Sequence, residues 1–159
     1  MNWYVMFISA IVPLITGFIW YNPKVFGNAW MKVTGLTPES GKGMNMPLVF
    51  GLTYLFGVFL SAALMSIVVH QMHLFSLYAD VPDAQAPGSD LMLMMEKVGG
   101  KFRTFKHGAF HGFIAAITLA LPIIGVNALF ERRGGKYIFI HVGYWALTLM
   151  IMGGILCCM

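Results

Sequence analysis

The sequence predicts an all-α integral membrane protein, a four-transmembrane-helix bundle, and three observations predict it. The ten basic and six acidic residues are confined to three windows, residues 24–42, 80–106 and 131–136. The runs 1–23, 43–79, 107–130 and 137–159 hold no Asp, Glu, Lys or Arg; helices of a water-soluble domain need a polar face and cannot do this. Composition agrees, with 58% hydrophobic and 10% charged residues against roughly 45–50% and about 25% in soluble domains. Each charge-free run also has the roughly 20 apolar residues that cross a bilayer as a helix. The 159 residues suffice for a single transmembrane domain and no second one.

The first span is expected at residues 3–21. Its leading Met1-Asn2-Trp3-Tyr4 carries no basic flank and no small-residue cleavage site closes the run, so it reads as a retained anchor rather than a signal peptide. Pro13 falls inside it and predicts a kink, because neighbouring helices can satisfy the freed backbone. Trp3, Tyr4, Trp20, Tyr21 and, later, Tyr137 stand at span ends, where amphipathic rings favour the headgroup level.

Residues 24–34 read as a short amphipathic helix. Phe26, Ala29, Trp30 and Val33 share one face, and Lys24, Asn28 and Lys32 recur on the other. Asn22-Pro23 supplies a start signal. Two placements fit this pattern, a helix lying in the interface and a cap over the bundle end. Thr37-Pro38-Glu39 is a further helix start, and Gly41 and Gly43 release the chain into the second span, residues 47–70. That span holds Leu, Ile, Val or Phe at most of its central positions. At about −0.3 to −0.6 kcal/mol each, these side chains contribute roughly −4 to −8 kcal/mol to insertion, with no central charge to offset it.

The connection 71–107 is too long for a turn. Asp80-Val81-Pro82-Asp83 and Ala86-Pro87-Gly88 break it, and Ser89 or Asp90 can cap a short Met-rich helix through Val98, stopped by Gly99-Gly100. The third span is expected at 108–128, with Pro122 inside it, and the fourth at 137–157. Glu131, Arg132 and Arg133 form a compact charge-paired turn between them.

Four spans put both termini and the connection 71–107 on one side. The other side carries Lys24, Lys32, Lys42, Arg132, Arg133 and Lys136, against Lys97, Lys101, Arg103 and Lys106. The excess predicts that the first connection and the 131–136 turn are cytoplasmic and the termini periplasmic, in a bacterial inner membrane. The formal charge of +4 therefore concerns orientation, with no stripe suited to nucleic acid.

Helices in lipid associate through close backbone approach. Gly108, Gly112, Ala116 and Ala120 recur every four residues, Gly57 and Ser61 do so in the second span, and Gly143 lies in the fourth. These predict helix contacts, and a second copy of the chain or another membrane complex is the expected partner beside the lipid bilayer itself.

Histidine is the candidate chemistry. His70 and His73 close the second span, and His107 and His111 open the third one helical turn apart, on the same side as Cys157, Cys158 and the Met-rich connection. Imidazole, thiolate and thioether suit copper or zinc. The competing reading is structural, with interfacial histidines bonded to water or carbonyls and Met as apolar filler. Neither HExxH nor CxxC occurs. No span holds an acid of the kind proton-coupled transport uses, and His111 and His141 are the titratable groups inside the hydrocarbon region. The balance predicts a structural or accessory homo-oligomer without cofactor and not an enzyme. Metal handling at the non-cytoplasmic face and a small oligomeric transporter or channel are the alternatives.

The pieces Trp20-Tyr21-Asn22-Pro23, Leu129-Phe130-Glu131-Arg132-Arg133, Gly143-Tyr144-Trp145 and Met152-Gly153-Gly154 together resemble the bacterial membrane family known as domain of unknown function 1761 (DUF1761). The resemblance runs over essentially the whole chain. The long second connection and Phe102-Arg103-Thr104-Phe105-Lys106-His107-Gly108 are similar to members from Bacteroidetes-type bacteria. It implies a multi-pass membrane protein and no particular activity. Members usually end in Trp, where this chain has Cys157-Cys158-Met159.

Overall fold

The computed structural model describes residues 2–159, and among them every regular element is helical. Three helices are long and apolar enough to cross a membrane: α4 (Met46–Val68), the run Phe105–Phe130 and α9 (Gly135–Cys158). A fourth is counted if Tyr4–Trp20 and Pro23–Thr34, bent by 53° from each other, make one span. The run Tyr4–Trp20 is where a first span is expected. At 1.5 Å per residue it rises roughly 25 Å, short of the roughly 30 Å hydrocarbon core.

That run consists of α1 (Tyr4–Ser9) and α2 (Val12–Trp20). Pro13 lacks the N–H that would continue the ladder, and the chain tightens just before it, with Ile11 N–H donating to the Ile8 carbonyl at 3.2 Å. Past Tyr21 the segment expected at 24–34 begins one residue earlier, as a π-turn over Pro23–Gly27 followed by α3 (Asn28–Thr34). The Asn22 side chain caps it by accepting from Lys24 N–H at 2.9 Å. Gly27 is obligatory there, because a Cβ would overlap the Tyr21 carbonyl. Phe26, Ala29, Trp30 and Val33 are half-buried while Lys24, Asn28 and Lys32 are exposed, which is the expected division of faces. Phe26 stacks on Trp20 at 4.4 Å between ring centroids and meets Phe139 edge-on at 6.4 Å. The segment thus packs across the bundle end.

The connection expected at 71–107 is mostly structured. It holds α5 (Gln71–Leu77) and α6 (Asp90–Val98), the latter capped by the Ser89 hydroxyl accepting from Met92 N–H at 3.3 Å. The next helix starts three residues before the expected 108, because Thr104 caps it and accepts from His107 N–H at 3.2 Å. It runs as α7 (Phe105–Ala115), a π-turn over Ala116–Ala120 and α8 (Leu121–Phe130). Pro122, second residue of α8, cannot donate to the Thr118 carbonyl, and the widened turn absorbs the missing bond.

The small-residue stripes are used inside one chain. A Cβ on Gly108 would overlap the Gly153 carbonyl, and one on Gly112 the Leu149 carbonyl, so α7 and α9 touch backbone to backbone. Gly57 faces the Ala10 backbone, and Gly143 lies under the Trp20 ring, whose Nε1–H donates to the Ile140 carbonyl at 3.0 Å. Ser61 and Ala116 are fully buried, and Ala120 borders a lateral cleft. Within the core the Thr16 and Thr148 hydroxyls pair at 2.7 Å, and Tyr144 O–H donates to the Pro13 carbonyl at 2.9 Å.

The two ends differ. Asn2, Met159, Gln71 and Arg103 line one depression, so both termini and the second connection share an end. At the other, α8 closes with Arg132 in the left-handed region (φ 55°) and Arg133 N–H donating to the Ala128 carbonyl at 2.7 Å. This is the cap usually built on glycine. Arg133 pairs with Glu131 at 3.5 Å, donates to the Val33 carbonyl at 3.3 Å and lies over the Tyr137 ring. It thereby fastens the first connection to the turn.

Candidate metal centre

Helix α4 ends at Val68, and Val69 leaves the helical region (ψ 89°), its N–H still bonded to the Met65 carbonyl. His70 then stands at the start of α5 with its ring directed toward α7. His107 and His111, four residues apart in α7, lie on one face. The result is a triad: one ligand nitrogen from each of His70, His107 and His111 falls within 4.8 Å of the others. His70 Nε2 and His107 Nε2 are 2.9 Å apart, and the ring centroids are separated by 4.5 to 5.0 Å.

Two imidazole nitrogens at that distance cannot both carry a proton. Either one neutral ring donates to the other, or an ion takes the shared position. Around a tetrahedral ion with bonds of about 2.0–2.1 Å, donor atoms lie roughly 3.3 Å apart. The His70–His107 pair, at 2.9 Å, lies just inside that spacing, and the three nitrogens fall within 4.8 Å of one another.

His73, also expected in the cluster, is exposed on α5 and lies outside it. The break at Val69 ends the register that would have carried His73 along the α4 face. Cys157 is buried behind the site rather than in it, its thiol donating to the Val68 and Phe102 carbonyls at 3.3 and 3.2 Å. Cys158 is exposed, its thiol donating to the Ile155 carbonyl of its own helix at 3.7 Å.

Two residues to which the sequence reading gave no role at the site shape the centre. Phe102 holds a left-handed backbone (φ 63°), unusual for a bulky side chain. This conformation stacks its ring on His107 at 5.0 Å and sets it edge-on to His70 at 6.2 Å. Gln71 is nearly buried, and its amide donates to the carbonyls of Val98 and Lys101 at 3.1 and 2.8 Å. It pins the residue after His70 to the segment that delivers Phe102. The one signal for Gln71 was a lone amide at the end of an apolar run.

The connection leading to the triad is charge-balanced, with Asp80, Asp83, Asp90 and Glu96 against Lys97, Lys101, Arg103 and Lys106. The converging donor set is three nitrogens with no carboxylate. Such a set fits borderline d-block ions such as zinc or copper and is a poor match for magnesium or calcium, which take oxygen.

A helical protein with several membrane-length spans and a histidine triad at one end of them is the class this architecture defines. The family model described as protein of unknown function (DUF1761) matches residues 4–157. The chain belongs to that family. No curated protein and no solved structure matches it.

Proposed function

We propose that this chain is a four-span protein of the bacterial cytoplasmic membrane that binds one transition-metal ion through His70, His107 and His111. The observation that carries the reading is the convergence of three imidazoles from two helices within 4.8 Å. Their supports, the Phe102 ring and the Gln71 amide, lie in the segments that bring the two helices together.

Several contacts support four crossings. Both termini share an end with the second connection, and Arg133 ties the 131–136 turn to the first connection at the other. The Lys and Arg count favours a triad on the periplasmic side. The role we propose is binding rather than turnover, the converging group itself containing no carboxylate. Glu131 closes the opposite end with Arg133.

Metal analysis of protein purified without chelator tests this. Wild type and His73→Ala are expected to carry zinc or copper equimolar with the chain. His107→Ala and His111→Ala are expected to lose it at least tenfold. Equal metal in wild type and both triad variants contradicts the proposal.

A further inference from the structure

A lateral cleft of about 360 Å³ opens between α4 and the helix run that carries the triad, floored by Trp145 and Leu149 of α9. This volume is in the range of small-molecule sites. Its lining is aliphatic apart from the Trp145 indole, with Ala63, Ala115 and Ala120 making the hollow. The π-turn Ala116–Ala120 inserts one extra residue per turn, so Leu119 and Ile123 both face the cleft.

The cleft and the triad are in register. On the triad helix, His107, His111, Ala115, Leu119 and Ile123 recur every four residues, and the last three line the cleft. On α4, Leu60, Ala63 and Ile67 line it, and His70 stands just past the end of that helix at Val68. His111 is one helical turn from Ala115, so the triad lies toward one end of the apolar slot between the same two helices. A membrane protein presenting that sequence of surfaces is complementary to an amphiphile whose headgroup lies at the interface and whose tail lies in the core.

The charge of the headgroup follows from what the triad lacks. Three neutral imidazoles leave a divalent ion uncompensated, with a fourth position to fill. The group that converges there is three histidines, with no carboxylate or thiolate among them to fill it.

We propose that the cleft binds the chain of a long-chain fatty acid, whose carboxylate completes the coordination of the ion at the triad. This rests on the metal reading above and names the ligand class of the same site.

Cobalt-loaded protein in detergent tests it, because tetrahedral cobalt reports its ligands in its visible spectrum. Oleate is expected to shift the visible bands, and oleyl alcohol, with the same chain and no charge, to leave them unchanged. Ala63→Trp fills the cleft and is expected to weaken the oleate titration at least tenfold. Ala62→Trp, on a neighbouring exposed position outside the lining, is expected to leave it as in wild type. Cobalt content is expected to stay equimolar in both variants.

Cobalt bound with bands indifferent to oleate overturns this inference and spares the metal site, as does an undiminished oleate response in Ala63→Trp. Protein that binds no cobalt overturns both.

Discussion

At Gly112 a single added methyl group would occupy the place of the Leu149 carbonyl oxygen, whereas at Gly125 it would meet open space. Both residues sit in the same helix run, so their comparison separates helix propensity from backbone approach. Gly112→Ala is expected to cost about 1–3 kcal/mol through overpacking. Gly125→Ala is expected to leave stability unchanged or raise it by up to about 1 kcal/mol through helix propensity. Unfolding of both variants in mixed micelles checks this, and equal costs would mean that α7 and α9 do not touch there. The stripe Gly108, Gly112 and Ala116 was legible because close packing in lipid demands small side chains at that period. The triad was half legible. His107 and His111 follow from their spacing alone, but membership of His70 and exclusion of His73 depend on α4 stopping at Val68. No residue type marks that stop. The stacking role of Phe102 was not legible, since a bulky residue at positive φ is set by its tertiary surroundings.

The helices owe their registers to a few polar atoms. Thr16 bonds both the Val12 carbonyl at 2.9 Å and Thr148, so it keeps a partner if Thr148 is lost. Tyr144 reaches the carbonyl of Pro13, beside the place where the first helix breaks. Each such bond between membrane helices is worth about 0.6 kcal/mol and at most about 1.7. Thr148→Val and Tyr144→Phe are each expected to destabilise by about 0.6 kcal/mol, measured by the same micellar unfolding. Losses beyond about 2 kcal/mol would show the hydroxyls serving a larger network. The α6 boundaries were readable from the Ser89 cap and Gly99-Gly100, because capping is local chemistry. The two π-turns were not. Pro122 signals a defect, and whether it becomes a kink or a widened turn is decided by packing against α9. Helix α5 also escaped notice, since its residues continue the apolar run of the span before it.

For the whole molecule, the charge-free windows carried most of the architecture, and the expected amphipathic segment packs its apolar face on Trp20 and Phe139. The expectation of a second copy rested on uncovered glycine faces. Gly57, Gly108, Gly112 and Gly143 are covered within the chain, while Gly51 and Gly125 remain open. Those stripes therefore give no reason to invoke a partner. Single cysteines in a Cys157→Ser, Cys158→Ser background test the proposed topology. With a membrane-impermeant maleimide on intact cells, Asn2→Cys and Gln85→Cys are expected to react, and Ser40→Cys and Gly134→Cys only after lysis. Reaction of Asn2→Cys and Gln85→Cys from opposite sides would contradict four crossings.

X-ray absorption at the edge of the bound metal tests the central claim most directly, because it reads the donor atoms themselves. The account predicts a shell containing three imidazole nitrogens at about 2.0–2.1 Å, with their outer-ring scattering and no sulfur near about 2.3 Å. A sulfur shell, or an ion without imidazole scattering, would place the metal at Cys157, Cys158 or the methionines instead and contradict it.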